Sequence, residues 1–131
     1  MRRLAATLAL TLLATLVATP AQGRRHRLRV PGPQLAHALT VDAFEWTLRP
    51  SKTVVAAGVV RLRAYNRGED DHNVLVVAAD GTPSVVTLKP GEAGTLSARL
   101  APGRYTIVCS LFAGTPDSHE ARGMRFTLTA R

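Results

Sequence analysis

Four side chains in this chain have types and spacing that could do chemistry together: His72, Cys109, His119 and Met124. Two imidazoles, one thiolate and one more distant thioether form a trigonal N₂S set with a weak axial sulfur. That set suits copper cycling between Cu(II) and Cu(I), because it fully satisfies the preferred geometry of neither ion. The thiolate is the strong covalent donor, and a site that moves little between the two states keeps the reorganisation cost low. A zinc site would be expected to show more Cys or His, or a carboxylate. Each residue alone also has a purely structural explanation. His72 can end a turn, Cys109 can be a small buried hydrophobe, His119 can sit on a surface turn, and Met124 is in phase with Phe126 for core packing. The joint spacing carries the metal reading.

The elements that must position these residues read as strands. His72 follows the polar turn Asn66–Asp71 and opens the run Asn73-Val74-Leu75-Val76-Val77. Cys109 ends the alternating segment that begins at Tyr105, and Met124 opens another that runs to Ala130. Val59–Tyr65 and Thr95–Leu100 alternate cleanly, with Val60, Leu62, Leu96, Ala98 and Leu100 on their apolar faces. Between Leu39 and Leu48 the alternation changes phase near Ala43-Phe44, which predicts a bulge or bend. Short segments at Thr53–Ala56 and Val85–Leu88 complete the set. Turns at Pro50-Ser51, Asp80-Gly81, Pro90-Gly91 and Pro102-Gly103 punctuate it. Short strands with frequent turns predict an all-β sandwich or barrel. If the strands of His72 and Cys109 are neighbours, all four side chains meet at one end of it.

A chain of 131 residues fits one modest domain, and 46 % hydrophobic with 20 % charged residues is a globular balance rather than a disordered one. Residues 1–23 have the layout of a signal peptide: Arg2-Arg3, the apolar run Leu4–Ala18, then small and turn-forming residues. An uncleaved N-terminal anchor is the competing reading. Arg24, Arg25, Arg27 and Arg29 just beyond oppose simple export, and Arg2-Arg3 is a slight pointer to twin-arginine export. Residues 24–36 read as a basic arm broken by Pro31, Gly32 and Pro33, leaving 37–131 as the domain. His26 and His37 read as solvent-facing. Without residues 1–23 the chain keeps 15 cations and 9 carboxylates, a net +6 against +8 for the whole. Such a surface favours an acidic redox partner or an anionic membrane face, the latter through the arm; nucleic acid fits an exported chain less well. The lone cysteine excludes an internal disulfide framework.

The motifs Asn66-Arg67-Gly68 with Asp71-His72-Asn73, Gly103 to Ser110 around Tyr105 and Cys109, and His119 to Met124 resemble those of the cupredoxins, the blue copper proteins of the plastocyanin and azurin type. The resemblance spans about residues 37–131. It implies a Greek-key β-sandwich or barrel of about seven to eight strands. It also implies one copper ion per chain (Cu²⁺/Cu⁺) held by His72, Cys109, His119 and Met124, with Asn73 bracing the copper loop. The implied function is one-electron transfer in an exported compartment by a non-enzymatic monomer. Donor and acceptor redox proteins would dock transiently at His119, near Leu111, Phe112 and Ala113. A copper carrier or resistance protein and a metal-free interaction module share the pattern. A dinuclear centre would want a second cysteine, and a multicopper oxidase a longer chain with more histidines. One departure stands out: nine residues, Ser110–Ser118, separate Cys109 from His119, more than is usual in the family. Thr115 as N-cap, Pro116 at the first helical position and Gly123 as the stop predict a short helical turn that brings His119 back.

Overall fold

A computed structural model describes residues 36–131. The segment expected to be a signal, His26 and the basic stretch up to residue 35 lie outside the described residues. Strict alternation builds the strands. In Gly58–Asn66 the side chains of Val60, Leu62, Ala64 and Asn66 are buried, while Val59, Arg61 and Arg63 are exposed. Among the described residues nine strands result: β1 (Ala38–Phe44), β2 (Thr47–Pro50), β3 (Val54–Val55), β4 (Gly58–Asn66), β5 (His72–Val77), β6 (Pro83–Leu88), β7 (Ala93–Leu100), β8 (Gly103–Val108) and β9 (Arg125–Ala130). They form two sheets, ordered β2-β1-β4-β7 and β3-β9-β8-β5-β6. The core lies between them, with Leu39, Val41, Leu62 and Leu100 from the first and Val74, Val76, Ile107 and Leu128 from the second.

Two local expectations are corrected. The phase change after Ala43 is a chain reversal, not a bulge. β1 and β2 form a hairpin with Ala43 opposite Leu48 and Phe44 opposite Thr47, turning at Glu45 and Trp46. Facing residues of a hairpin share a sheet face, so buried Ala43 and Leu48 stand an odd number of residues apart and break the period of two. The second correction concerns the segment after Cys109, which contains no helix. Thr115 closes turns, donating from Oγ1 to the Phe112 carbonyl and accepting from the Asp117 amide. Ser118 caps a single hydrogen-bonded turn instead: its Oγ accepts from the Ala121 N–H and its carbonyl from the Arg122 N–H. Gly123, at φ 118°, ends that turn as expected.

One buried amide ties the loop before β5 to the sandwich. Asn66 Nδ2 donates to the carbonyls of Asp70 (2.8 Å) and Leu88 (3.0 Å), and its Oδ1 accepts from the Gly68 N–H. The Asn66–Asp71 turn is thereby fastened to the end of β6, opposite which β5 begins at His72. Core packing supplies the stiffness behind this. Leu62→Ala, at the centre of β4 and 2 % exposed, is expected to cost about 3 kcal/mol, read as a lowered midpoint in denaturant unfolding.

Candidate metal centre

β5 and β8 are antiparallel neighbours, with Leu75 opposite Val108. This brings His72, the first residue of β5, beside Cys109, one residue past the end of β8. His119 is returned to them by the backbone: its N–H donates to the Leu111 carbonyl, so residues 112–118 form an excursion with joined ends. The Met124 N–H then donates to the His119 carbonyl (3.1 Å), and the Cys109 N–H to the Met124 carbonyl (2.9 Å). Cys109, His119 and Met124 are thus linked through their main chain before their side chains are considered.

The side chains converge. His72 Nδ1 lies 3.3 Å from His119 Nδ1, and Cys109 Sγ lies 3.4 Å from the same nitrogen. One donor atom each of His72, Cys109 and His119 lies within 4.8 Å of the others. Imidazole and thiolate donors bound to one ion at about 2.0 and 2.3 Å stand about 3.4–3.6 Å apart at near-trigonal angles. The observed spacing therefore fits a single small ion. His72, Cys109 and Met124 are fully buried and His119 is 4 % exposed. His37 is exposed and stands apart from the cluster.

Burial sets the protonation states. It pushes the Cys109 thiol up, although the amides of Asn73 and Leu111 act in the opposite direction. It lowers His119, helped by the neighbouring His72 ring. Without metal, then, the thiol keeps its proton and His119 stays neutral, and metal binding must expel the thiol proton. Asn73 touches both Cys109 and the loop that follows it. The contact to sulfur comes from its backbone, whose N–H donates to Cys109 Sγ (3.3 Å). Its side chain fastens the neighbouring loop, accepting from the Ser110 N–H (2.7 Å) and donating to Ser110 Oγ (3.0 Å).

No protein-family model and no curated protein sequence matches the chain. Solved structures do. A dithionite-reduced auracyanin from Roseiflexus castenholzii superposes with a TM-score of 0.57 at 19 % identity, covering 74 % of this chain and 98 % of that one. A methionine-to-glutamine mutant of amicyanin with Cu(I) gives 0.50 at 19 % identity, covering 72 % and 83 %. The chain has the cupredoxin fold. A chain of a heme-copper terminal oxidase dimer also matches, with a TM-score of 0.52 at 24 % identity over 72 % of this chain and 63 % of its own. Among the described residues, buried His72, Cys109 and His119, with buried Met124 tied to them through its main chain, are donors of the types a type 1 copper ion takes.

Glu45 is a site residue that the sequence did not reveal. It arrives on the β1–β2 turn, and its Oε1 lies 3.1 Å from His72 Nε2, the ring nitrogen turned away from the cluster. The same oxygen accepts from the amides of Glu69 (2.7 Å) and Asp70 (2.9 Å). Gly68 makes room, since a Cβ there would overlap the Glu45 carboxylate. A carboxylate behind an imidazole fixes its tautomer and raises its donor strength. The remaining ring, His119, is flanked by Trp46, edge-on at 4.8 Å between centroids, and by Phe112 at 5.4 Å. The Arg122 guanidinium lies over Trp46 at 4.3 Å.

Two outcomes follow for Glu45. Glu45→Gln is expected to weaken copper binding about 10- to 100-fold in competition with a chelator of known affinity. Its carboxyl is also held down to about 2 from an ordinary 4.5, chiefly by the Asp70 amide. A depressed carboxyl stabilises the fold fully above its unfolded value, and that contribution disappears as pH falls towards the folded one. Thermal melts of the copper-free protein should therefore lose stability between about pH 4.5 and 2, and the variant should lose less over the same window.

Proposed function

We propose that this chain is an exported one-electron carrier that uses a single type 1 copper ion bound by His72, Cys109, His119 and Met124. The carrying observation is the convergence of three donor atoms of the right types in a dry, backbone-linked cluster. Bound copper supplies the Cu(II)/Cu(I) couple. The chain does the rest. His72 is oriented from behind by Glu45, Cys109 is held by the Asn73 amide, and Met124 stands beside both other loop residues through its main chain. Core packing excludes water and resists movement of the donors as the charge changes.

The burial of all four residues favours electron transfer over delivery of exchangeable copper, because a metal carrier needs access to its ion. It also leaves no open position for a substrate, so the reading is non-enzymatic. Redox proteins are the partners, met in brief encounters through small interfaces. Export rests on the signal-like residues 1–23.

Addition of Cu(II) to the purified protein should produce an intense blue or green thiolate-to-copper band. Cys109→Ser should abolish it. Met124→Leu should change its shape and raise the reduction potential, since a weak donor to Cu(II) is lost. A colourless copper complex with the native chain would end the carrier reading; an unaltered band and potential in the methionine variant would leave Met124 a core residue only.

A further inference from the structure

The turn between β1 and β2 meets both histidines of the cluster from outside, and does so with two consecutive residues. Glu45 Oε1 lies 3.1 Å from His72 Nε2, and the Trp46 ring stands edge-on to the His119 ring at 4.8 Å between centroids. The turn is wedged between the two loops that carry those histidines. On the His72 side, Glu45 Oε1 takes the amides of Glu69 and Asp70. The Ala43 carbonyl accepts from the Arg67 N–H (2.8 Å), and Asp42 pairs with the Arg67 guanidinium (3.2 Å). On the His119 side, Arg122 lies over the Trp46 ring at 4.3 Å, and Asp117 ties that guanidinium back at 2.7 Å. A glycine stands at each close approach. A Cβ at Gly68 would overlap the Glu45 carboxylate, and one at Gly123 would come within 3.2 Å of the Trp46 carbonyl.

The two contacts differ in kind. Trp46 is uncharged and limits by its volume how far the His119 ring can tilt. Glu45 places a negative charge behind the His72 ring. Its side chain is 30 % exposed, so water screens that charge only in part. Among the described residues no Lys or Arg pairs with the Glu45 carboxylate; its one ion-pair partner is His72 itself. An oxidised site carries one positive charge more than a reduced one, and an anion at fixed distance favours the more positive form.

Resting on the electron-carrier reading, we propose that the β1–β2 turn is a positioning element of the copper centre: Trp46 confines the His119 ring, while Glu45 confines the His72 ring and biases the site towards its oxidised form. Both act through an imidazole, so both are positioning residues. One electron passes from a redox partner, which is oxidised by one unit, to the site, Cu(II) to Cu(I), and the attraction to Glu45 weakens. The reduction potential is thereby held below the value that the donors alone would set.

The test uses the full chain, copper-free and copper-loaded. Glu45→Gln keeps the size and the acceptor oxygen and removes the charge. It should weaken Cu(II) binding about tenfold more than Cu(I) binding, a rise of about 59 mV in the potential of a one-electron couple. Asp71→Asn removes an exposed carboxylate that neighbours His72 in the chain but makes no hydrogen bond to its ring, and should change the ratio less than about threefold. In the copper-free protein, in mildly alkaline buffer where imidazoles are neutral, His72 ring nitrogen shifts should report one form with its hydrogen on Nε2. Glu45→Gln should give a mixture of both tautomers. Trp46→Leu should leave the Cu(II)/Cu(I) ratio near native while broadening the His119 ring carbon lines of the copper-free protein and sparing those of His72. A potential that moves no further in Glu45→Gln than in Asp71→Asn, an unchanged His72 tautomer, or His119 lines unaltered in Trp46→Leu would overturn the proposal. A native chain without the blue band sinks the carrier reading, whereas a native band with unmoved variants sinks the proposal alone.

Discussion

Three polar donor atoms are held with gaps of 3.3 and 3.4 Å in a region almost without water, and the rest of the fold is arranged around that constraint. Burying such groups costs free energy unless each is partnered. Every buried side-chain nitrogen and oxygen among the described residues has a partner. The main chain does most of the holding. Leu111, His119, Met124 and Cys109 are joined in sequence by backbone hydrogen bonds, and Asn73 crosses from β5 to the sulfur and to Ser110. The cluster is therefore set by sheet register and loop closure rather than by the rotamers of its own side chains.

The same dryness acts on donors of opposite charge type with one result. It disfavours the thiolate of Cys109 and the imidazolium of His119 alike, so both rest in neutral forms. The nearest charge is placed just outside. Glu45 is one-third exposed, keeps its negative charge through two amides, and reaches His72 from the far side of the ring. A cationic metal thus meets an uncharged thiol and an uncharged His119, with an anion behind the His72 ring.

Much of this was legible in the residues. His72, Cys109 and His119 share a spacing that only a β5–β8 adjacency would turn into a cluster, and period-two alternation located most strands. Glu45 was not legible, because its contact depends on the hairpin reversing at Phe44–Thr47, where no Gly, Pro or Asn marks a turn. The helix expected after Thr115 failed for a related reason. Thr115 and Pro116 carry real start signals, but the segment must return His119 to Leu111, and successive tight turns achieve that while a helix would carry the chain onward.

Closure of the 112–118 excursion by the single bond between Leu111 and His119 has an architectural consequence. The long gap after Cys109 is bridged at its base, so the metal-facing ring is indifferent to how many residues lie above that clasp. Lengthening or replacing the exposed Ala113–Pro116 tip would reshape what a visitor touches while the donors stay put. The fold thereby separates the part of the loop that can diversify from the part that cannot.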